Sequence, residues 1–124
     1  MFDTARHSAL VDAVFGLAPV IPVLAIDRIE DALPLCRALA DNGLPVLEIT
    51  LRTACALDAI ALVARELPHA CVGAGTVLSA TDLANVADAG ARFAISPGAT
   101  DTLFDAAKAS RTPLIPGIAT ASEL

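Results

Sequence analysis

A single acidic residue stands inside one of the apolar, strand-length segments of this chain. Glu48 lies between Leu47 and Ile49, where a buried carboxylate is costly unless it is paired or protonated. Burial raises the pKa of a carboxyl group toward the range in which a general acid or base works near neutral pH. Two interpretations follow: Glu48 moves protons in a reaction, or it forms a structural ion pair with Arg52 or with a residue outside the chain.

Arg52 follows Glu48 by four residues, just beyond the end of the same predicted strand. Its guanidinium group can hold a planar carboxylate or a phosphate through two parallel hydrogen bonds. The residue also falls at the predicted start of a helix, where the helix dipole makes a cation unfavourable. This mismatch favours an anionic ligand over the alternative of an ordinary surface arginine.

Small and polar residues follow the other predicted strands as well. The segment Gly73-Ala74-Gly75-Thr76 lacks the spacing of a P-loop or of a dinucleotide-binding fingerprint. Its glycines indicate either a close approach of the backbone at a pocket mouth, with the Thr76 hydroxyl facing a substrate, or simply tight packing. Ser96-Pro97-Gly98 and Pro116-Gly117 end the next two strands. Because ligands of parallel α/β sheets bind at the carboxyl ends of the strands, we expect these segments to form one site.

The elements that carry these residues alternate along the chain. Five apolar runs predict strands: Val20–Ile26, Pro45–Thr50, Ala70–Thr76, Arg92–Ser96 and Leu114–Ile118. Segments of helical period precede or separate them: Ala5–Phe15, Ile29–Leu39, Thr53–Leu67, Ser79–Gly90 and Thr100–Ser110. Strands that are apolar on both faces and alternate with helices predict an α/β fold with a parallel sheet, in which the first helix covers the bottom of the first strand.

Composition excludes several classes of protein. The 124 residues carry 8 Lys plus Arg against 14 Asp plus Glu, an acidic balance that argues against nucleic-acid binding through phosphate contacts. The longest uncharged apolar stretch, Ala13–Ile26, is interrupted by proline and is shorter than the roughly 18 to 20 residues that span a bilayer. A single cytoplasmic domain over residues 1–124 is therefore the expectation, with no membrane and no nucleic acid as partners.

The other residues with reactive side chains lie away from the predicted strand ends. His7 and His69 are expected to be solvated, and Lys108, the only lysine, is expected near the end of a helix with its side chain in solvent. Three widely spaced cysteines show neither a disulfide framework nor a zinc motif and predict reduced core residues: Cys36, Cys55 and Cys71.

Four of these motifs, in this order, resemble the 2-keto-3-deoxy-6-phosphogluconate (KDPG) and 4-hydroxy-2-oxoglutarate (KHG) aldolase family. They are Val46–Thr53, Val72–Leu78, Phe93–Gly98 and Pro113–Gly117. The resemblance runs from about Pro19 to Leu124. It implies a TIM-type (β/α)8 barrel, usually a cytoplasmic homotrimer of the Entner-Doudoroff pathway, that cleaves KDPG to pyruvate and glyceraldehyde 3-phosphate and KHG to pyruvate and glyoxylate.

The resemblance also implies roles for individual residues. Members of this class I family form a Schiff base between a lysine and the keto carbon, which accepts the electrons released by carbon-carbon cleavage. Glu48 would be the catalytic acid and base, Arg52 and Thr76 would bind the pyruvyl carboxylate, and Pro97 would line the pocket. Neither a cofactor nor a metal ion is expected.

One departure from the family pattern concerns the lysine. The Schiff-base lysine belongs to the sixth strand, whereas this chain predicts only five strands, and Lys108 matches no catalytic position. Thr120 and Glu123 have the spacing of a capping box, the signal that starts a helix. The expectation is a barrel truncated after the fifth strand, without aldolase turnover by itself.

Two alternatives remain open at this point. A complete five-stranded flavodoxin-like module would use Arg52 and the glycines of Gly73–Gly75 to hold an anion, and its strand order would be 2-1-3-4-5. A non-catalytic remnant would instead associate with another chain through the open edges of its first and fifth strands.

Overall fold

The computed structural model describes residues 4–123, in which five strands alternate with helices. The strands are β1 (Val23–Leu24), β2 (Val46–Thr50), β3 (Cys71–Gly75), β4 (Ala94–Ser96) and β5 (Leu114–Pro116). The helices are α1 (Thr4–Phe15), α2 (Ile29–Asp41), α3 (Ala56–Glu66), α4 (Ala80–Asp88) and α5 (Asp101–Ala109), followed by a 3₁₀ turn at Ala121–Glu123. The predicted succession of elements is confirmed.

All five strands are parallel and lie in the order β1-β2-β3-β4-β5. The register places Glu48 beside Gly73 and Thr50 beside Gly75 on the central pair β2 and β3. This sequential order is wrong for the flavodoxin-like alternative, which requires β1 to lie between β2 and β3. It is the order expected for one part of a (β/α)8 barrel.

The two faces of the sheet carry different clusters of apolar side chains. The larger cluster lies between the sheet and helices α2 to α5 and includes Leu47, Ile49 and Val72. The smaller cluster lies on the opposite face, where Val14 of α1 packs with Ala18, which follows that helix, and with residues at the amino ends of the strands: Val46, Cys71 and Phe93. Helix α1 therefore covers the amino end of this second face at β2 and β3, whereas the prediction placed it at the bottom of β1, and it leaves the carboxyl ends of the strands uncovered.

Capping signals set the ends of several helices as the sequence indicates. The Ser79 hydroxyl accepts a hydrogen bond from the Asp82 amide at 3.0 Å, and the Thr100 hydroxyl accepts one from Leu103 at 3.2 Å. Helix α4 ends before Gly90, whose φ of +95° is one that glycine adopts without steric cost.

Three local features differ from the sequence expectation. Strand β1 is two residues long because Pro22 has no N–H to donate to a ladder, although its carbonyl accepts from Glu48 at 3.0 Å. Helix α3 begins at Ala56, three residues later than predicted. At the Thr120–Glu123 capping box only one half forms: the Glu123 carboxylate accepts from the Thr120 amide at 2.9 Å, but the Glu123 amide donates to the Thr120 carbonyl instead of its side chain.

Within residues 4–123, no helix is both long enough and apolar enough to cross a membrane.

Candidate active site

The four predicted site residues all lie toward the carboxyl-terminal end of the sheet. Glu48 is on β2, Arg52 follows the end of β2, Thr76 directly follows β3, and Pro97 directly follows β4. Glu48 has the same orientation as Val46 two residues earlier, so it faces the side of the sheet that carries the smaller apolar cluster. The topology thus brings the predicted residues to one end of neighbouring strands.

Glu48 is buried, with 8% of the residue exposed. This burial raises the pKa of its carboxyl group, and the positive charge of Arg52 opposes the shift without cancelling it. No hydrogen bond or ion pair joins Glu48 to Arg52, so the interpretation of Glu48 as half of a structural ion pair with Arg52 is wrong. A carboxyl group that holds its proton to higher pH is suited to general acid and base work.

Arg52 and Thr76 form a pair across the ends of β2 and β3. The Arg52 Nε donates to the Thr76 hydroxyl at 3.3 Å, and both groups are accessible to solvent. The terminal guanidinium nitrogens make no hydrogen bond with the described residues, so they are available to a ligand. Arg52 does not start a helix as predicted, since α3 begins four residues later, so the helix dipole gives no reason to expect an anionic ligand at Arg52.

The backbone of Thr76 adopts an unusual conformation. Its φ is +61°, in the left-handed region that a β-branched residue rarely occupies. Hydrogen bonds on either side fix this turn, from the Leu51 amide to the Gly75 carbonyl at 2.9 Å and from the Val77 amide to the Ile95 carbonyl at 3.1 Å. Strained residues of this kind concentrate at functional sites, because the surrounding structure must hold them in place.

Both glycines of the segment before Thr76 allow another side chain to approach. A Cβ built on Gly73 would overlap the ring of Phe93, and one built on Gly75 would overlap the carboxyl group of Glu48. Both glycines therefore serve close packing, Gly73 against the core and Gly75 against the candidate acid and base, and the orientation of the Thr76 hydroxyl toward a substrate stays a prediction.

The neighbourhood of Pro97 is closed by the end of β5. The Gly117 amide donates to the Ser96 carbonyl at 2.7 Å, and a Cβ on Gly117 would come within 2.6 Å of the Pro97 carbonyl oxygen. The Ser96 hydroxyl is buried and has no hydrogen-bond partner among residues 4–123. The sequence places Ser96 in one of the strand-end segments expected to form the site but predicts no specific role for its hydroxyl.

Two residues to which the sequence assigned no role in the site, Thr53 and Cys55, hold the loop carrying Arg52. The Thr53 hydroxyl and the Cys55 thiol both donate to the Ile26 carbonyl, the latter at 3.0 Å. These bonds tie the loop after β2 to the end of β1. The spacing of Thr53 and Cys55 after a strand end does not by itself predict these hydrogen bonds. They depend on the position of the Ile26 carbonyl, which follows the neighbouring strand.

The remaining reactive side chains lie elsewhere. Lys108 is exposed on α5 and pairs with Asp105 at 2.7 Å, as its predicted helix position indicates. The prediction that His7 is solvated is wrong, because its Nε2 is half-buried and lies 3.0 Å from the carbonyl of Leu114, to which it donates. Cys36 and Cys71 are buried and free, and burial raises the pKa of the Cys36 thiol to about 11.

Comparison with known proteins identifies the family of this chain. A family model described as "KDPG and KHG aldolase" matches residues 11–124. The chain belongs to this aldolase family. Such enzymes are carbon-carbon lyases of the class I, Schiff-base type, so the predicted family is confirmed.

Individual relatives agree with this assignment. The KHG/KDPG aldolase of Escherichia coli K12 is 52% identical over 113 residues, which are 91% of this chain and 53% of that protein. The Pseudomonas aeruginosa 2-dehydro-3-deoxy-phosphogluconate aldolase is 46% identical over 124 residues, covering 100% of this chain and 56% of the relative. The chain thus spans about half the length of the relatives that it matches.

Solved structures of relatives show the same fold. The Legionella pneumophila KDPG aldolase, captured with pyruvate as a covalent carbinolamine intermediate, superposes with a TM-score of 0.86 at 51% identity, over 90% of this chain and 54% of that one. The Zymomonas mobilis enzyme with 3-phosphoglycerate gives 0.87 at 50% identity, over 91% and 54%. The five strands therefore correspond to about half of a TIM-type aldolase.

Proposed function

We propose that this chain supplies the carboxylate-binding and proton-transfer groups of a pyruvate-releasing class I aldolase site. The observation that carries the proposal is the arrangement at the ends of β2 and β3, where the buried carboxyl group of Glu48 lies near the accessible pair of Arg52 and Thr76. A cation with free donors suits a 2-keto carboxylate, and a carboxyl group of raised pKa suits proton transfer beside it.

In the proposed reaction, Arg52 and Thr76 hold the carboxylate of the pyruvyl moiety and Pro97 lines the pocket. A lysine amine attacks the keto carbon to give a carbinolamine, and loss of water gives the protonated imine that accepts the electrons of the broken carbon-carbon bond. Glu48 donates a proton to the departing water and then accepts the hydroxyl proton of the cleaved substrate. Each proton taken up by Glu48 is returned when the product enamine is converted to pyruvate.

The lysine of this reaction is not among the strand-end residues of this chain. The single lysine, Lys108, is exposed on α5 and paired with Asp105. We therefore propose that the 124 residues alone have no aldolase turnover, and that the amine comes from polypeptide outside them. Without a group that stabilises the carbanion, Glu48 and Arg52 bind pyruvate weakly and do not accelerate its release.

The substrates proposed for the complete site are KDPG, giving pyruvate and glyceraldehyde 3-phosphate, and KHG, giving pyruvate and glyoxylate. The names of the relatives support this choice. Assembly as a homotrimer and a cytoplasmic location stay predictions, as does the boundary of a single incomplete domain at residues 1–124.

Pyruvate binding tests the proposed role of Arg52. Titration of the isotope-labelled chain with pyruvate, followed by NMR, is expected to shift the amide signals near Thr76, and Arg52→Met is expected to abolish the shifts. Arg65→Met is the matched control, because Arg65 is an exposed arginine on α3 that pairs with the adjacent Glu66. Equal binding by the parent chain and Arg52→Met would contradict the proposal.

The remnant hypothesis has one structural observation in its favour. Strands β1 and β5 each pair with a single strand within the described residues, and Val23 on β1 is 59% exposed. Open, apolar strand edges promote association with another chain. Size-exclusion chromatography over a range of concentrations is expected to show association, and a monomer at all concentrations would count against this hypothesis.

A further inference from the structure

Gly75 lies under the side chain of Glu48, although the two residues are not direct partners in the sheet. The register pairs Glu48 with Gly73 and Thr50 with Gly75. The space over Gly73 is occupied by the ring of Phe93. The Glu48 side chain extends instead toward the carboxyl ends of the strands and lies over Gly75.

The contact leaves no room for a side chain at position 75. A Cβ built on Gly75 would lie 3.0 Å from the Glu48 Cγ and 2.8 Å from its Cδ, and closer still to Oε1. Carbon atoms in ordinary contact are about 3.5 to 4.0 Å apart. A methyl group at position 75 and the carboxyl group of Glu48 therefore cannot occupy their places together.

Backbone conformation does not explain the glycine. Among the residues described, the glycines with positive φ are Gly43 and Gly90, and Gly75 lies in a regular strand. An alanine at position 75 would be compatible with that backbone. The absence of a side chain at position 75 matters because it leaves a space over the strand, and the carboxyl group of Glu48 fills that space.

We propose that Gly75 is a positioning residue for Glu48, whose carboxyl group stays at its buried place over the sheet only because position 75 has no side chain. The catalytic meaning of this positioning rests on the proposed function, whereas the packing of the two residues does not. Gly75 thus keeps the proton-transfer group beside the neighbouring Arg52–Thr76 pair.

The proposal predicts different results for the two glycines of β3. In Gly75→Ala the clash falls on the far end of a flexible side chain, which moves to another rotamer while the sheet remains intact. In Gly73→Ala the clash falls on the Phe93 ring, which is fully buried in the core. We therefore expect Gly75→Ala to displace Glu48 and Gly73→Ala to destabilise the fold.

Carbon-13 NMR of labelled glutamate side chains tests the positioning of Glu48. In the parent chain, NOEs are expected between the Glu48 Hγ protons and the Gly75 Hα protons, and the carboxyl group should titrate with a raised pKa. In Gly75→Ala, movement toward solvent should lower the pKa of Glu48 toward its ordinary range. Gly98→Ala is the matched control, because an added Cβ there meets no atom within 4 Å, and it should leave the titration unchanged.

Several outcomes would overturn the proposal. Absence of the NOEs in the parent chain would do so, as would a Gly75→Ala variant in which Glu48 titrates as in the parent. If Gly75→Ala does not fold, the same substitution is made together with Glu48→Ala. Recovery of folding in the double variant supports the proposal, and continued failure contradicts it. None of these measurements involves pyruvate, so a failure of the proposed function would appear separately, in the binding experiment with Arg52→Met.

Discussion

Substituting Thr76 reveals whether strain is stored beside the candidate anion-binding group. Its φ of +61° places an L-amino acid in the left-handed region, at a cost of about 1 to 2 kcal/mol. Glycine avoids this cost but loses about 0.5 to 1 kcal/mol through its greater freedom in the unfolded chain. Thr76→Gly should therefore be more stable than Thr76→Ala by about 0.75 kcal/mol, the difference between the midpoints of these two ranges. The hydrogen bond from Arg52 is lost in both variants and does not affect the comparison.

Urea unfolding of the two variants measures this difference directly. Leu78 provides the control pair, because it is exposed and does not have the positive φ of Thr76. Among the described residues, the non-glycine residue with positive φ is Thr76. At position 78 alanine should be the more stable replacement, by about 0.5 to 1 kcal/mol, which is the usual order. The reasoning is refuted if alanine is as stable as glycine at position 76, or more stable.

Two further substitutions test the site and its support. Burial raises the pKa of Glu48 in the folded chain, so folding favours the protonated carboxyl group. The free energy of unfolding therefore falls as the pH rises from the ordinary carboxyl range through the raised pKa. Glu48→Gln should thus be more stable than the parent at neutral pH, and the difference in the free energy of unfolding should shrink in acid. Urea unfolding midpoints measured across this pH range test this, with the exposed Glu66→Gln as control. A difference that does not depend on pH would contradict it. Phe93→Ala should cost about 3 to 5 kcal/mol because the ring is fully buried over Gly73. Phe104→Ala, 44% exposed, should cost less than about 1 kcal/mol, and equal losses in thermal unfolding would be inconsistent with the described core.

Much of the fold follows from local patterns in the sequence. Helices α4 and α5 begin after Ser79 and Thr100 because these hydroxyls cap the first turn, and such signals depend only on nearby residues. The apolar runs predict parallel strands because such strands are buried on both faces. Here helices α2 to α5 cover one face of the sheet and α1 covers part of the other. The short β1 was predicted less well, since the effect of Pro22 depends on its neighbours in the sheet.

The candidate residues stand out in the sequence, but the contacts between them do not. Glu48 stands out because burying a lone carboxylate inside an apolar strand is costly unless the group is paired or protonated. Its approach to Gly75 depends on the register of β2 and β3 and on Phe93 filling the adjacent space, which no local pattern encodes. The positive φ of Thr76 is likewise hidden, because a threonine is the wrong residue from which to predict that conformation.

Borohydride trapping with labelled pyruvate tests the central claim most directly. The claim is that these 124 residues supply the carboxylate-binding and proton-transfer groups of the site but do not supply the amine that forms the Schiff base. The Legionella pneumophila relative, which has captured pyruvate covalently, serves as the positive control. The account predicts label on that relative and none on this chain. A stable pyruvyl adduct on Lys108, or release of pyruvate from KDPG by this chain alone, would contradict it.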